Sequence, residues 1–250
     1  MSQPEPYYES DAGMAEYAEF HYGESYFGVS NFPQALADMA LAAMAGRECR
    51  RALDLGCASG RASFELAKAF AQVDGVDYSK AFVEQCQRMA EQGCLRYERR
   101  EEGELVSRQE RRLEDLGLAA TPERVRFSQG DACQLADSLR DYDLVLAANL
   151  IDRLYQPRLF LQAMQERIRP GGVLLIASPY TWLEQYTDRA HWLGGYRDSE
   201  REVSTLEGLT AGLHPAFRPL GPARDVAFVI RETRRKYQHS LSQVTLWERQ

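Results

Sequence analysis

Apolar residues follow a helical period at the start of this 250-residue chain, then give way to short runs separated by helical stripes. Residues 11–22 and 34–45 read as helices. The second collects Leu36, Met39, Ala40, Ala43 and Met44 on one face, with Pro33 near the first turn, where proline is tolerated. From Arg51 an alternation begins. Arg51–Leu55 reads as a strand ending at Gly56, 61–71 as a helix with Phe64, Ala67 and Phe70 inward, and Gln72–Asp77 as a second strand. A helix over 79–91 follows, with Phe82, Val83, Cys86 and Met89 at helical spacing. Val125–Gln129 and Tyr142–Ala148 are the third and fourth strands, and the run Leu144-Val145-Leu146 suits a strand buried on both faces. A helix over 157–168, built on Phe160, Leu161, Met164 and Ile168, leads through the turn Arg169-Pro170-Gly171-Gly172 to a fifth strand, Val173–Ser178. Strands alternating with helices predict a parallel sheet covered on both faces.

Two stretches depart from this rhythm. Residues 93–124 are charged and too long for a simple connection. Leu95–Arg100 and Glu104–Gln109 either pair as a hairpin across Glu102-Gly103 or form an exposed helix. Val226–Arg231 and Gln243–Trp247 read as two more strands, an antiparallel pair at the end of the sheet. The expected fold is α/β and Rossmann-like, one domain over 1–250. It has a seven-stranded, mostly parallel sheet with an antiparallel C-terminal strand, an N-terminal helical lid over 1–46 and an inserted hairpin within 93–124.

With 44% hydrophobic residues the chain can bury a sizeable core. Its net charge of −7 and pI near 5.3 argue against duplex nucleic-acid binding and against electrostatic attachment to membranes. The sequence holds no run of 18 apolar residues, so no spanning helix is expected. The polar start MSQPEPYYESD lacks the parts of a signal peptide, which points to the cytoplasm. The five cysteines include no C-x-x-C pair and the four histidines are scattered, so neither a disulfide framework nor a metal site is expected. The basic run from Arg231 to Tyr237 reads as a loop with solvated charges, with RNA contact or a carboxylate-binding arginine as alternatives.

The candidate chemistry sits where strands end. Asp54-Leu55-Gly56-Cys57-Ala58-Ser59-Gly60 follows a strand and opens a helix. Gly56 permits a tight turn, Gly60 allows close approach of a ligand to the backbone, and the helix start favours an anion. Asp77, followed by Tyr78, lies about 20 residues on, where an acidic residue can accept both hydroxyls of a ribose. Asp131 after the third strand can accept from an adenine amino group, with the Ala132 N–H near a ring nitrogen. Asn149 ends the fourth strand. These pieces, in this order, resemble the class I S-adenosylmethionine (SAM) methyltransferases. The G-x-x-x-G spacing differs from the G-x-G-x-x-G that cradles a dinucleotide pyrophosphate. The resemblance implies SAM as cofactor, S-adenosylhomocysteine (SAH) as product, no metal, and the loop's anion as the methionyl carboxylate.

Further stretches are Tyr7-Tyr8-Glu9-Ser10-Asp11, Ala18-Glu19-Phe20-His21-Tyr22-Gly23, Glu102-Gly103-Glu104-Leu105-Val106 and Gly130-Asp131-Ala132-Cys133. Later come Asn149-Leu150-Ile151-Asp152-Arg153-Leu154, Ser178-Pro179-Tyr180-Thr181-Trp182-Leu183 and Trp192-Leu193-Gly194-Gly195. Together, over nearly the whole chain, they resemble the ovothiol-biosynthesis methyltransferases, which methylate a ring nitrogen of 4-mercaptohistidine (5-thiohistidine) to give ovothiol A. That activity usually follows an iron-dependent sulfoxide synthase domain. Here the expectation is a stand-alone enzyme, functionally coupled to a separate sulfoxide synthase that supplies its small-molecule substrate. Asn149 and Asp152 are then candidates to touch the methyl acceptor, Asp152 orienting the ring or binding the substrate amine. Arg153 is a candidate for the substrate carboxylate or, alternatively, an ordinary ion-pair partner. Tyr8, Tyr22, Tyr180 and Trp182 are candidate aromatic walls, and His21 a candidate base or a hydrogen-bonded helix-face histidine.

Overall fold

The computed structural model describes residues 6–250; the first five, part of the segment read as lacking a signal peptide, lie outside the described residues. In chain order the elements are α1 (Asp11–Tyr22), α2 (Phe32–Ala43), β1 (Arg51–Leu55), α3 (Arg61–Leu66), β2 (Gln72–Asp77), α4 (Lys80–Gln92), β3 (Cys94–Glu102), β4 (Leu105–Arg112) and β5 (Val125–Gln129). Then come β6 (Tyr142–Ala148), α5 (Pro157–Arg167), β7 (Ile168–Ser178), β8 (Tyr196–Asp198), β9 (Arg201–Val203), α6 (Thr205–Leu213), β10 (Phe217–Pro219), β11 (Arg224–Thr233) and β12 (Lys236–Arg249).

The central sheet runs β10-β12-β7-β6-β1-β2-β5. The five strands from β7 to β5 are mutually parallel, and β12 is antiparallel to β7. This is the α/β, Rossmann-like, mostly parallel arrangement expected, with eight strands rather than seven. The extra strand arises because β12 is 14 residues long. Its outer edge takes β11 along residues 236–244 and β10 at its last three residues.

Alternation along the strands divides the side chains between two cores. Ala52, Leu144, Leu146 and Leu175 pack with Leu36 and Ala40 of α2, Phe64 of α3 and Cys86 and Met89 of α4. Leu53, Leu55, Val145, Leu174 and Ile176 pack instead with Phe160 and Met164 of α5 and Leu209 and Leu213 of α6. The sheet is therefore covered on both faces, and ligands can reach it only at strand ends.

Three departures from the sequence expectation are informative. The helix expected over 61–71 stops at Leu66, and irregular turns carry the chain on to β2. Residues 169–172 do not break the strand. They form an irregularity within β7, with Gly171 at φ 77°. Helix α6 escaped the apolar pattern although Ser204 and Glu207 form a capping box at its start. The charged insertion takes the hairpin option, β3 pairing with β4.

The hairpin also changes the reading of part of the basic run. Arg231 is buried, donates to the Arg100 carbonyl at 2.7 Å and pairs with Glu101 at 2.7 Å. Arg235 pairs with Glu102 at 2.8 Å and Lys236 with Glu232 at 2.6 Å. Arg231 and Arg235 thus bind the insertion to the end of β11, while Arg234, Arg235 and Lys236 stay largely exposed to solvent, as expected for this run. Among the described residues no helix is long and apolar enough to cross a membrane.

Candidate active site

Strand order reverses between β1 and β6: β1 adjoins β2 on one side, and β6 lies on the other. A crevice forms where strand order reverses in such a sheet. Here the carboxyl ends of β1, β2, β5 and β6 open into one cavity of about 440 Å³, closed on one side by α1 and the start of α2.

The loop after β1 turns sharply. Gly56 and Ala58 have φ values of 71° and 45°, and the Gly56 and Cys57 N–H groups both donate to the Val76 carbonyl. Gly56, Cys57 and Ala58 line the cavity. Gly60 does not, although close ligand approach was its expected purpose. Its φ is 81°, and a Cβ there would meet the Cys86 sulfur at 2.8 Å and the Phe127 ring at 3.0 Å. Core packing is the reason for glycine at this position.

Asp77, at the end of β2, holds the loop and faces the cavity. One carboxylate oxygen accepts from Ala58 N–H at 2.8 Å and the other from Ser79 N–H at 2.9 Å. Burial pushes its carboxyl up to about 6, against those two donors. Asp54 also lines the cavity and accepts from the Ser63 hydroxyl at 2.6 Å. Burial pushes it up to about 7, with the charge of Asp77 adding to the rise. Two acids with raised carboxyls beside an open cavity favour a cationic or hydroxyl-bearing ligand.

Beyond β5, Asp131 accepts from Cys133 N–H at 2.8 Å and from the Tyr155 hydroxyl at 3.0 Å. Tyr78, Ala132, Leu150, Leu154 and Tyr155 also line the cavity. Asn149 lines the cavity in a left-handed conformation at φ 51°. Its N–H donates to the Ala177 carbonyl at 2.7 Å, and its side-chain oxygen accepts from the Ser242 hydroxyl at 2.6 Å.

The cavity also has an aromatic group. Tyr8, Tyr17, Phe20 and Phe82 form it, joined by Arg153 and Tyr186. The Arg153 guanidinium lies 4.8 Å from the centre of the Tyr186 ring. It also donates to Asp152 at 2.9 Å and to the Thr181 hydroxyl at 3.0 Å. Among the described residues Arg153 is the one Lys or Arg side chain that lines the cavity.

Several expected contacts are not brought to the cavity. Asp152 is fully buried, and its carboxylate is filled by the Ser178 hydroxyl, the Thr181 N–H and hydroxyl, and Arg153. It therefore positions Arg153 and has no face for an acceptor. Tyr22 is buried and donates to the Ser59 carbonyl at 2.6 Å. Trp182 is buried, stacks on Trp192 and donates to the Thr205 hydroxyl at 2.9 Å. Tyr180 donates to Gln243 at 3.1 Å, outside the cavity lining.

His21 does line the cavity, with its Nδ1 accepting from the Arg61 N–H at 3.3 Å. Burial and the Arg61 charge push its pKa down to about 3, so the imidazole is neutral near pH 7 and too weak a base for the role first considered. The sequence reading passed over Tyr155 and Tyr17. Tyr155 follows Asn149 by six positions in the same post-strand loop, which is the local signal for it.

Comparison with known proteins agrees with this geometry. Residues 53–174, from β1 to β7, match the methyltransferase domain family. A ubiquinone biosynthesis O-methyltransferase of Azorhizobium caulinodans is 26% identical over 128 residues, which is 51% of this chain and 40% of that protein. The chain thus spans under half the length of this curated relative. Among solved structures, magnesium protoporphyrin IX methyltransferase from Synechocystis with bound SAM superposes with a TM-score of 0.57 at 16% identity. That match covers 98% of this chain and 94% of the other. The N-methyltransferase NodS from Bradyrhizobium japonicum, in complex with SAH, gives 0.53 at 12% identity, covering 96% and 99%. At these identities the superpositions establish the shared fold.

Proposed function

We propose that the chain is a class I SAM-dependent methyltransferase, a reading supported by the match of residues 53–174 to the methyltransferase domain family, and that it methylates a ring nitrogen of 5-thiohistidine to give ovothiol A. The observation that carries the acceptor class is the pairing of aromatic walls with the lone arginine in the cavity. A flat imidazole suits Tyr8, Tyr17 and Phe20, and an amino-acid carboxylate suits the Arg153 guanidinium.

The residues present fit SAM. Asp77 would accept the ribose hydroxyls, Asp54 lies toward the positively charged amino-acid part, and Asp131 with Tyr155 would meet the adenine edge. Bound there, SAM supplies an electrophilic methyl group on a sulfonium. The protein's part is placement. Arg153, fixed by Asp152 and Thr181, would set the acceptor's carboxylate, and the tyrosine walls would hold the ring edge-on to the methyl and keep water out. Asn149, held by Ser242, also lines the cavity. Neutral ring nitrogen needs no strong base to attack a sulfonium, which agrees with a site whose one histidine stays unprotonated.

The test is incubation of the protein with SAM and 5-thiohistidine, with products resolved by mass and NMR. The expected result is SAH together with a thiohistidine carrying one additional methyl on a ring nitrogen. Methylation at sulfur, or no turnover of thiohistidine, would contradict the proposal. A second reading, another small nitrogen or oxygen acceptor, is favoured by the likeness to an O-methyltransferase. The same assay with histidine and with small phenols distinguishes it.

A further inference from the structure

The histidine that cannot act as a base has a different use. His21 is 6% exposed, and its Nδ1 is occupied as an acceptor by the Arg61 N–H at 3.3 Å. A neutral imidazole accepting at Nδ1 carries its proton on Nε2. No described residue hydrogen-bonds that Nε2–H, and the side chain lines the cavity. A donor on a nearly buried side chain that opens onto a cavity and has no protein partner is free to meet an acceptor on a bound ligand.

The location says which acceptor. His21 packs against the first residue of α3, directly after the Gly56–Gly60 loop, whereas Asp131 and Tyr155 follow β5 and β6 and bond to each other. With the ribose at Asp77 and the adenine toward Asp131, the amino-acid tail of SAM points to the His21 side. His21 itself is locked in place. Its backbone carbonyl accepts from the Asn31 side chain at 2.9 Å and from Arg61 at 3.4 Å. Its ring is flanked by Tyr17 and Phe20.

We propose that His21 binds the methionyl carboxylate of SAM through Nε2–H, passing the Arg61 backbone N–H dipole through the imidazole to the ligand. The assignment rests on the SAM-binding reading and is independent of which acceptor is methylated. It gives α1 a direct hold on the cofactor, so that the N-terminal helix senses whether SAM is present.

The test compares SAH with its decarboxylated analogue, S-adenosyl-3-thiopropylamine, by calorimetry without any methyl acceptor. Wild type is expected to prefer SAH. In His21→Asn the side-chain oxygen still accepts from Arg61 while the distal donor is gone. This variant is expected to lose about 10- to 100-fold in SAH affinity, with the analogue unchanged. His21→Gln, whose amide nitrogen can reach the Nε2 position, is expected to recover part of the loss. Equal weakening of both ligands, or no change in either, would overturn the proposal.

If the variants fail to fold, the ¹⁵N-labelled wild type decides. The His21 Nε2–H signal is expected to move with SAH and not with the analogue, and a signal indifferent to SAH would refute the contact. Failure of wild type to bind either ligand would remove the SAM assignment and this proposal with it. Failure to methylate thiohistidine would leave the His21 result standing.

Discussion

Replacing Asp77 with alanine is expected to weaken SAM binding by about 100-fold or more, measured by calorimetry. Two ribose hydroxyls donating to one carboxylate are each worth about 1.5–3 kcal/mol as charge-assisted bonds. The substitution also frees the Ala58 and Ser79 N–H groups that the carboxylate now holds at 2.8 and 2.9 Å, loosening the loop itself. Near-normal affinity in the variant would contradict the assignment. The same residue sets a pH dependence. Burial raises Asp77 to about 6 and Asp54 to about 7, so both acids gain protons as the pH falls through that range. A cationic ligand with hydroxyl donors favours the ionised forms. SAM affinity is therefore expected to be full above about 7, to fall on acidification, and to be accompanied by proton release between about 6 and 7. Affinity flat from pH 5 to 8, in calorimetry across buffers of different ionisation enthalpy, would show that neither acid faces the ligand.

The second large effect concerns stability. Glu19 of α1 is 2% exposed and sits at a hub. It accepts from the Tyr97 hydroxyl at 2.5 Å, from the Tyr26 hydroxyl, and from Arg99 at 3.1 Å, with Arg111 at 3.8 Å. Burial alone would raise its carboxyl, but the bonds from Tyr26, Tyr97 and Arg99 outweigh burial and hold it below the ordinary value of 4.5. Glu19→Ala removes one side of a buried ion pair and leaves two tyrosine hydroxyls without their acceptor. A loss of about 3–5 kcal/mol is expected, lowering Tm by roughly 6–20 °C for a chain of this size. A loss below about 1 kcal/mol would show that the hub is incidental. Because the folded carboxyl is depressed, its contribution is present above pH 4.5 and is lost as the pH falls through the lower, folded value. Urea unfolding at pH 7 and at pH 3.5 reads both effects, and the pH sensitivity is expected to shrink in Glu19→Ala.

Glu19 also explains the charged insertion. Arg99 and Arg111 come from β3 and β4, and Glu101 of the same hairpin pairs with Arg231 of β11. The hairpin thus ties α1, which closes the cavity, to the far strands of the sheet. Nothing in its apolar pattern announces this, since the contacts are between charges distant in sequence.

That contrast runs through the whole molecule. β1, β2 and β6 begin and end as the sequence indicates, because each is buried on both faces, whereas β5, at the sheet edge, buries only Val125 and Phe127. Gly56, Asp77, Asp131 and Asn149 sit at those strand ends, so their arrival at one cavity follows from topology. The rest of the site depends on which way a side chain turns. Asp152 and Arg153 are adjacent in a single short turn, yet one is fully buried and the other lines the cavity. Tyr22 and Trp182 are aromatic and near the site in sequence, and core packing claims both. Gly60 looked like a ligand-facing glycine and is a packing glycine, because its neighbours Cys86 and Phe127 come from α4 and β5. Side-chain direction of this kind is set by tertiary packing, which local pattern does not encode.

A crystal structure with SAH, grown without a methyl acceptor, tests the central claim most directly. The expected density places the ribose hydroxyls within hydrogen-bonding distance of Asp77, the adenine beside Asp131 and Tyr155, and the amino-acid carboxylate at His21. SAH bound anywhere else, or a crevice whose walls have collapsed onto one another at saturating SAH, would contradict it.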